Sequence, residues 1–495
     1  MPALRPLAVA LAAALPALAC AGETLTIYSR AAPGSLDARS LGAGSAIPGY
    51  AVVREERPFA LAAGRNLLRV DDVPELIDPT TVAFASLTDP AGTRVVEQSF
   101  EFDLTSSAKL LSRYLGREIT VERARGDGVE SITGTLVGTQ GGLTLKLPDG
   151  SVAIVQSPAG IRLPSLPGGL VSKPALAWDV EATHSGTHRT EFSYQTGGMT
   201  WWADYNLAYS EARPGSCRVD VGAWVTIVNQ SGASFPAARV KLVAGDVHRA
   251  APPGVAYGMV TDAPEALRAA KSQGFVEKAF FEYHLYTLGR TTSLAQNSTK
   301  QIELFPAAPG VGCEKTLVYQ GQAATWGPPG APLVERGYGV QSNRKVDIYL
   351  RLGNSASNGL GVPLPAGRVR VSRRDEADGA LEFVGEDVID HTPRDETVQV
   401  RLGSAFDVVG ERRQTDFRLD GAARWMEEDI EVRVRNHKDE AVPVIVRESL
   451  YRWSQWRLVR HDHDFTKEDS RTVDFPLRVA AHGEAVVRYT VRYTW

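Results

Sequence analysis

Apolar side chains recur at every second position over residues 219–228. The apolar series is Val219, Val221, Ala223, Val225 and Ile227. A period of two places these side chains on one face of a pleated strand. The four residues from Asn229 to Gly232 come next, and Asn and Gly tolerate the backbone dihedrals of a reversal, so we expect a turn there.

The C-terminal part of the chain shows the same alternation in four segments. Their apolar positions are Ile430, Val432 and Val434, then Val442, Val444 and Val446, then Val473, Phe475, Leu477 and Val479, and finally Val487, Tyr489, Val491, Tyr493 and Trp495. Charged residues fill many of the positions between them. One apolar and one charged face per strand is typical of an antiparallel sandwich. We expect an immunoglobulin-like sandwich over residues 411–495.

The rest of the chain also favours strands. Residues 118–163 hold five short apolar segments separated by glycine-rich turns, which is typical of a small SH3-like or Sm-like barrel. A helix is predicted just before it, over residues 105–115, with an apolar stripe that includes Tyr114 and Leu115. A second helix is predicted over 263–273, and an aromatic strand over 280–286.

These patterns predict an all-β, multidomain fold. We divide the chain into a signal peptide (1–21), an N-terminal β domain (22–104), the short helix with its barrel (105–165), a linker and connecting strand (166–184), a long β-rich part (185–410) and the C-terminal β-sandwich (411–495).

The central stretch 192–245 is rich in aromatic residues, and Gly197 and Gly198 predict a break within it. Trp201 and Trp202 are adjacent, so on a strand they face opposite sides. Together with Tyr205 they form a candidate recognition surface. The alternative is that both tryptophans pack into cores, because large aromatic side chains dominate core burial.

Several segments share their order and spacing with a known family. They are SYQTGGMTWWADYNLAYSE, VTIVNQSGASFPAARVKLVAGDV, NGLGVPLPAGRVRV, GEDVIDHTPRDETVQVRLGSAFDVVGER, NHKDEAVPVIVRESL and RYTVRYTW. The chain from about residue 185 to residue 495 resembles the domain-of-unknown-function 4139 family, which includes the mucoidy inhibitor A proteins. The resemblance implies a secreted bacterial protein without established catalytic residues. Unlike the mucoidy inhibitor relatives, this chain has no sustained heptads, which puts a role for a helical stalk in doubt.

Length and charge narrow the class of protein. The chain has 495 residues, which is too long for a single core. Its net charge is −4, so a nucleic-acid partner has no electrostatic support.

The first residues have the pattern of an export signal. Arg5 precedes an apolar run over residues 7–18, and Ala19, Cys20 and Ala21 are small residues suited to cleavage before Gly22. We therefore expect a periplasmic or secreted protein. The alternative is a lipoprotein in which cleavage leaves a lipid on Cys20, and for a chain that is not itself a barrel only this route leads to a membrane.

Cleavage would leave one pair of cysteines, Cys217 and Cys313, in an oxidising compartment. An even pair in that setting predicts a disulfide. Two buried free thiols are the alternative.

Few residues are spaced for chemistry. His461 and His463 would share a face of a strand, as the start of a zinc or iron site requires, but nothing nearby is spaced to supply a third ligand. An exposed polar turn is the alternative. His184 and His188 flank a loop-like sequence. We find no hydrolase or phosphate-binding motif, and we predict no cofactor.

The sequence thus predicts a non-catalytic binding or assembly protein of the bacterial envelope, whose partner is an envelope protein or polysaccharide. One alternative is a metal-dependent hydrolase that uses His461 and His463. Another is an outer-membrane β-barrel, because the alternating series that ends at Trp495 is similar to the final strand of such barrels.

Overall fold

The computed structural model describes residues 22–29, 47–101, 107–125, 128–165, 173–213, 216–245, 247, 275–322, 330–339, 342–375 and 377–495. Within these ranges it contains 28 strands and one α-helix. The predicted all-β, multidomain fold is confirmed. The predicted signal peptide (1–21) and the predicted helix over 263–273 lie outside the described residues.

The elements follow one another in this order. The first are β1 (Thr24–Ser29), β2 (Gly49–Leu61), β3 (Gly64–Val70), β4 (Ile77–Ser86), β5 (Thr93–Glu101), α1 (Ser107–Arg113), β6 (Glu118–Arg125), β7 (Gly128–Gly138), β8 (Leu143–Lys146), β9 (Val152–Val155) and β10 (Gly160–Arg162). The next are β11 (Ala175–Ala182), β12 (Gly186–Gly197), β13 (Met199–Arg213), β14 (Ser216–Asn229), β15 (Phe235–Ala244), β16 (Phe275–Phe280), β17 (Tyr283–Leu294), β18 (Ser298–Tyr319) and β19 (Lys345–Gly353). The last are β20 (Gly367–Arg374), β21 (Leu381–Ile389), β22 (Thr397–Asp420), β23 (Trp425–Asn436), β24 (Val442–Ser449), β25 (Trp456–His461), β26 (Thr466–Lys467), β27 (Thr472–Val479) and β28 (Glu484–Thr494).

Two large sheets join distant parts of the chain. A seven-stranded sheet has the order β16-β17-β15-β1-β2-β12-β4. A thirteen-stranded sheet runs β21-β20-β13-β14-β18-β19-β22-β23-β28-β25, and β24, β26 and β27 branch from it through the parallel pairing of β24 with β18.

The larger core draws residues from both of these sheets and from a three-stranded sheet with the order β3-β11-β5. The alternating series that begins at Val219 in β14 is buried there, as predicted. The core also contains Leu25 of β1 and Val53 of β2. The ranges 22–104 and 185–410, which the sequence divided, therefore share one sheet and one core. Alternation shows that a strand has a buried face, but it does not show which distant strand lies beside it.

One residue, Gly198, links β12 of the seven-stranded sheet to β13 of the thirteen-stranded sheet. β12 ends at Gly197 and β13 begins at Met199, so the predicted break is present between them. Gly198 has a φ of +71°, and a Cβ there would lie 2.6 Å from the carbonyl oxygen of Gln230. Only glycine fits this close approach without strain.

The strands of residues 118–162 form a separate antiparallel sheet with the order β10-β6-β7-β8-β9 and a core of its own. The five predicted strands are thus present. Tyr114, just after α1, packs into this core, whereas Leu115 is exposed. The predicted apolar stripe of the helix therefore ends at Tyr114, because the chain turns away at Gly116.

This small unit, β6–β10 with α1, interrupts another sheet. β5 and β11 are antiparallel neighbours, and Glu101 at the end of β5 is the register partner of Ala175 at the start of β11. The chain leaves the three-stranded sheet at one point, forms the small unit, and returns to the same point.

The second core lies in the C-terminal sandwich, where the apolar residues of β23, β24, β27 and β28 meet. All four predicted alternating segments contribute to it. It also contains Tyr319 of β18 and Val408 of β22. β18 lies before the predicted boundary at residue 411, and β22 extends across it. The sandwich is therefore continuous with the preceding part of the chain.

One predicted strand is wrong. Residues 280–286 form a hairpin rather than a strand, because β16 ends at Phe280 and β17 begins at Tyr283. Phe281 has a φ of +56° and is 79% exposed. Its aromatic side chain belongs to the turn and not to a buried face.

The predicted disulfide between Cys217 and Cys313 is confirmed. The two residues lie directly opposite each other on β14 and β18, with their Cα atoms 5.0 Å apart. This bond is compatible with a compartment outside the cytoplasm. In the described part of the chain, no helix has the length and apolar character needed to cross a bilayer.

Candidate functional site

The aromatic residues at the start of β13 lie mostly in the core. Trp201 and Tyr205 are each 2% exposed, and the Tyr205 hydroxyl donates to the carbonyl of Pro365 at 2.7 Å. Trp202 keeps part of its surface exposed. The prediction of a recognition surface made by Trp201, Trp202 and Tyr205 is corrected accordingly, because two of its three members are packing residues.

The proposed metal ligands take part in a local turn. His461 Nδ1 lies 2.9 Å from the carbonyl oxygen of His463, and His463 Nδ1 lies 2.8 Å from Asp462 Oδ1. Among the described residues, no three His, Cys, Asp or Glu side chains gather closely enough to hold a metal ion.

A buried serine and histidine pair connects β4 with β12. His188 Nδ1 lies 3.0 Å from Ser86 Oγ, and its Nε2 lies 3.2 Å from the carbonyl oxygen of His184. A serine beside a histidine suggests a nucleophile and its base. Both side chains are buried, however, and Ser86 Oγ also accepts the backbone amide of Asp89. The pair joins two strands and presents no nucleophile to solvent.

A wide pocket of about 590 Å³ opens at the end of the C-terminal sandwich. It lies where the edge strand β25 meets the end of β28 and the hairpin of β26 and β27. Its lining residues are Ser454, Gln455, Trp456, Arg457, Lys467, Ser470, Arg492 and Thr494. Three of these eight side chains are cationic and none is acidic. We call this site the cationic pocket.

Hydrogen bonds fix the walls of the cationic pocket. Trp456 Nε1 donates to the carbonyl oxygen of Ser470 at 2.8 Å, and the backbone amide of Thr494 donates to the carbonyl oxygen of Gln455 at 3.1 Å. Lys467 Nζ lies 4.8 Å from the centroid of the Trp456 ring. A cation over an aromatic face is held in place without being neutralised.

Two arginines of the pocket lie beside each other on neighbouring strands. Arg457 on β25 is the register partner of Arg492 on β28. Arg492 Nε donates to Glu427 Oε1 at 2.6 Å, and its guanidinium lies 4.8 Å from the Trp425 ring centroid. Arg457 is exposed and has no ion-pair partner among the described residues. Like charges directly opposite each other destabilise a sheet. Glu427 offsets the charge of Arg492, so of the two arginines the charge of Arg457 is the one that the described residues leave uncompensated.

Other arginines of the same sheet are compensated. Arg413, Arg433 and Arg488 each contact Glu431, at 2.7, 2.9 and 2.8 Å. Hydrogen bonds from Arg433, followed by those from Arg488 and Arg413, hold the pKa of Glu431 below its usual value, although burial acts in the other direction. Arg457 differs from these neighbours because no carboxylate faces it.

The C-terminal sandwich contains two buried ion pairs. Arg412 Nε is 2.8 Å from Glu448 Oε2, and Arg452 Nε is 2.7 Å from Glu428 Oε1. Burial is the largest single influence on Arg412 and disfavours its charge, but the charge and hydrogen bond of Glu448, with the nearby Tyr489 and Glu428, together outweigh it and raise the pKa of Arg412 well above its usual value. The Tyr489 hydroxyl also donates to Glu448, and burial raises the pKa of Tyr489.

Arg452 fixes the segment that leads into the cationic pocket. It is fully buried, and its Nη1 donates to the carbonyl oxygens of Leu333 and Glu335, each at 2.7 Å. Ser454, the first pocket residue, follows two positions later. The pocket wall therefore begins at an immobilised backbone.

A second pocket, of about 420 Å³, lies beside the disulfide. Its charged lining residues include Arg351 and Glu314, which are register partners on β19 and β18. Arg218, also in the lining, donates to the carbonyl oxygen of Gly310 at 2.7 Å. Arg218 and Arg351 are cationic and Glu314 is anionic, so the lining of this second pocket carries less positive charge than that of the cationic pocket.

The sequence carries a signal for the cationic pocket in its tryptophans, which residue spacing alone does not reveal. Four of the nine tryptophans, Trp425, Trp453, Trp456 and Trp495, lie in the last part of the chain. The signal was hidden because these residues come from different strands and turns, and only the fold brings Trp456 beside Lys467.

The fold and the cationic pocket together define a disulfide-linked all-β protein with a positively charged surface pocket. In comparisons with known proteins, the chain matches no family model and no curated protein. The resemblance to the 4139 family therefore stays a prediction.

Proposed function

We propose that this chain is an exported, non-catalytic binding protein of the bacterial envelope. The observation that carries the proposal is the cationic pocket, whose walls are fixed by hydrogen bonds before any ligand arrives. A preorganised polar site loses little entropy on binding. Its lining offers guanidinium, ammonium, hydroxyl, amide and indole groups, which are suited to holding a ligand.

Export is supported by two features. Residues 1–21 have the pattern of a cleavable signal, and the Cys217–Cys313 disulfide suits an oxidising compartment. The mature protein is then periplasmic or secreted. Its partner in the envelope is a polysaccharide or a protein, in agreement with the secreted class that the resemblance to the 4139 family implies.

Fractionation tests the export step. We expect the full chain, expressed in a Gram-negative host, to appear in the periplasmic fraction with Gly22 as its first residue. N-terminal sequencing measures this directly. Retention of residues 1–21 in a cytoplasmic product contradicts the proposal.

Co-sedimentation with isolated cell envelopes tests the binding step. We expect the native protein to sediment with envelopes, and a variant with both Arg457→Gln and Lys467→Gln to remain largely in the supernatant. Arg478→Gln is the matched control, because Arg478 is an exposed arginine on β27 outside the pocket. Equal sedimentation of the double variant and the control contradicts binding through this pocket.

A further inference from the structure

We infer that the cationic pocket binds a carboxylate-bearing saccharide, a segment of an acidic polysaccharide. The inference rests on the proposed binding function and adds the chemical class of the ligand. Three properties of the pocket support this ligand class: its charge, the neutral polar groups between the charges, and its open shape.

The charges require an anionic ligand. Arg457, Arg492 and Lys467 lie in the lining, and no carboxylate lies among them. Among the three cations of the pocket, Glu427 offsets the charge of Arg492 only. The other ion pair of Glu427 is with Arg418, which lies outside the lining. A ligand carboxylate beside Arg457 would relieve the repulsion between the two facing arginines, because guanidinium and carboxylate groups match in charge and geometry.

The Trp456 ring keeps the Lys467 cation available, whereas Arg492 is already paired with Glu427. Lys467 and Arg492 each lie over a tryptophan ring, at 4.8 Å from the centroids of Trp456 and Trp425. A ring orders a cation but leaves its net charge in place. The donors of Lys467 are therefore positioned in advance and remain free to meet an anion.

The neutral residues favour a sugar over an isolated inorganic anion. Ser454, Ser470 and Thr494 carry hydroxyl groups, and Gln455 carries an amide. Hydroxyl and amide groups both donate and accept hydrogen bonds, as the hydroxyls of a sugar do. A phosphate ion is mainly an acceptor and carries few O–H donors at neutral pH, so it matches the acceptors of these four residues less well than a sugar does.

The shape favours a chain. The pocket has a volume of about 590 Å³, and it lies along the exposed edge strand β25. That volume exceeds what a small inorganic anion fills. Because the site is open, a polysaccharide could enter and leave it while one or two of its acidic sugars contact the arginines.

The experiment measures binding of a purified oligogalacturonate to the mature, disulfide-linked protein by calorimetry. The matched neutral probe is the same oligosaccharide with its carboxyl groups methyl-esterified. We expect the free acid to bind, its affinity to fall as salt is raised, and the ester to bind at least about tenfold more weakly, since it keeps the sugar hydroxyls but lacks the charge.

The variants locate the site. Arg457→Gln and Lys467→Gln are each expected to weaken oligogalacturonate binding by roughly fivefold or more, because each removes one charge-assisted contact. Arg478→Gln should change the affinity by less than about twofold. All three positions are exposed, so the folded state is retained, and circular dichroism confirms this for each variant.

Each outcome decides a separate point. Equal binding of acid and ester, or unchanged affinity of Arg457→Gln, overturns the inference. Stronger binding of inorganic phosphate or of phosphatidylglycerol vesicles than of oligogalacturonate also overturns it in favour of a phosphate ligand. If envelope sedimentation still depends on Arg457 and Lys467 while oligogalacturonate fails to bind, the ligand class is wrong and the proposed binding function stands.

Discussion

Arg412 and Glu448 show at the scale of single residues how this protein buries charge. Each is less than 5% exposed, and Glu448 accepts hydrogen bonds from Arg412 Nε and from the Tyr489 hydroxyl. A buried ion pair adds little net stability, but the loss of one member leaves a charge without compensation. The alternating patterns predicted the apolar neighbours of this pair and not the pair itself, because a charged residue on a strand is expected to face solvent.

We predict that Arg412→Met lowers the free energy of unfolding by about 3–5 kcal/mol, because Glu448 is left buried and unpaired. Urea denaturation followed by circular dichroism measures the change. Arg413→Met, at the next position of β22, should cost at most about 1 kcal/mol, because the Arg413 side chain is 58% exposed. Equal costs for the two variants would show that Glu448 finds another partner.

Glu23 gives a prediction about pH. Burial, followed by the nearby charge of Glu55, raises the pKa of Glu23 from 4.5 to about 7, although Arg57 acts in the opposite direction and Asp72 adds a smaller repulsion. The folded state therefore holds the Glu23 proton more tightly than the unfolded state does. Its contribution to stability is complete below about pH 4.5 and is lost as pH rises to about 7.

We expect Glu23→Gln to remove this dependence. Relative to the native protein, the variant should gain stability between pH 4.5 and 7, by at most about 1–2 kcal/mol because Glu23 is partly exposed and solvent screens its charge. Thermal unfolding at several pH values measures the difference, and Glu382→Gln serves as an exposed control. A difference between variant and native protein that does not change with pH would contradict the prediction.

At the scale of elements, the positions and buried faces of the strands could be predicted from the sequence, but the pairing between strands could not. The series from Val219 and the C-terminal valine series gave correct strands and correct buried faces. The hairpin at Phe281 was missed because an apolar aromatic residue stands at a turn position where glycine or asparagine is usual. Trp201 and Tyr205 were assigned to a surface because their strand has apolar residues on both faces, and the sequence does not tell which face meets the core.

The Cys217–Cys313 disulfide stabilises the pairing of β14 with β18. It joins β14 to β18 across a separation of 96 residues. We expect replacement of both cysteines by alanine to lower the free energy of unfolding by up to about 4–5 kcal/mol, because the unfolded chain gains the freedom of a long loop. Urea unfolding with and without reductant measures the loss. Reductant should destabilise the native protein and leave the double variant unchanged, and any other pattern contradicts the prediction.

At the scale of the whole molecule, two of the three cores are inseparable. β18 and β22 each contribute to the thirteen-stranded sheet, and β18 supplies residues to both the larger core and the C-terminal core. The small unit of β6–β10 and α1 is different, because it has its own core and its ends meet at Glu101 and Ala175. The sequence predicted this unit well because its strands are consecutive, whereas the large sheets join strands that lie far apart in the chain.

We predict that the small unit can be removed. Replacing residues 102–174 with Asn-Gly should convert β5 and β11 into a simple hairpin, because Glu101 and Ala175 are already register partners. The shortened protein should form the Cys217–Cys313 bond and sediment with envelopes as the native protein does. Free thiols or aggregation of the shortened protein would show that the small unit supports the rest of the fold.

The position of β28 has a consequence for folding during export. β28 lies between β23 and β25, which do not pair with each other. β23 and β25 precede β28 in the chain, so during export they reach the new compartment first, and the edge of each that pairs with β28 stays unpaired until β28 follows. Their apolar faces are then open to wrong partners until the intervening residues have also been exported, and a periplasmic chaperone that shields them in that interval would raise the yield of correctly folded chains.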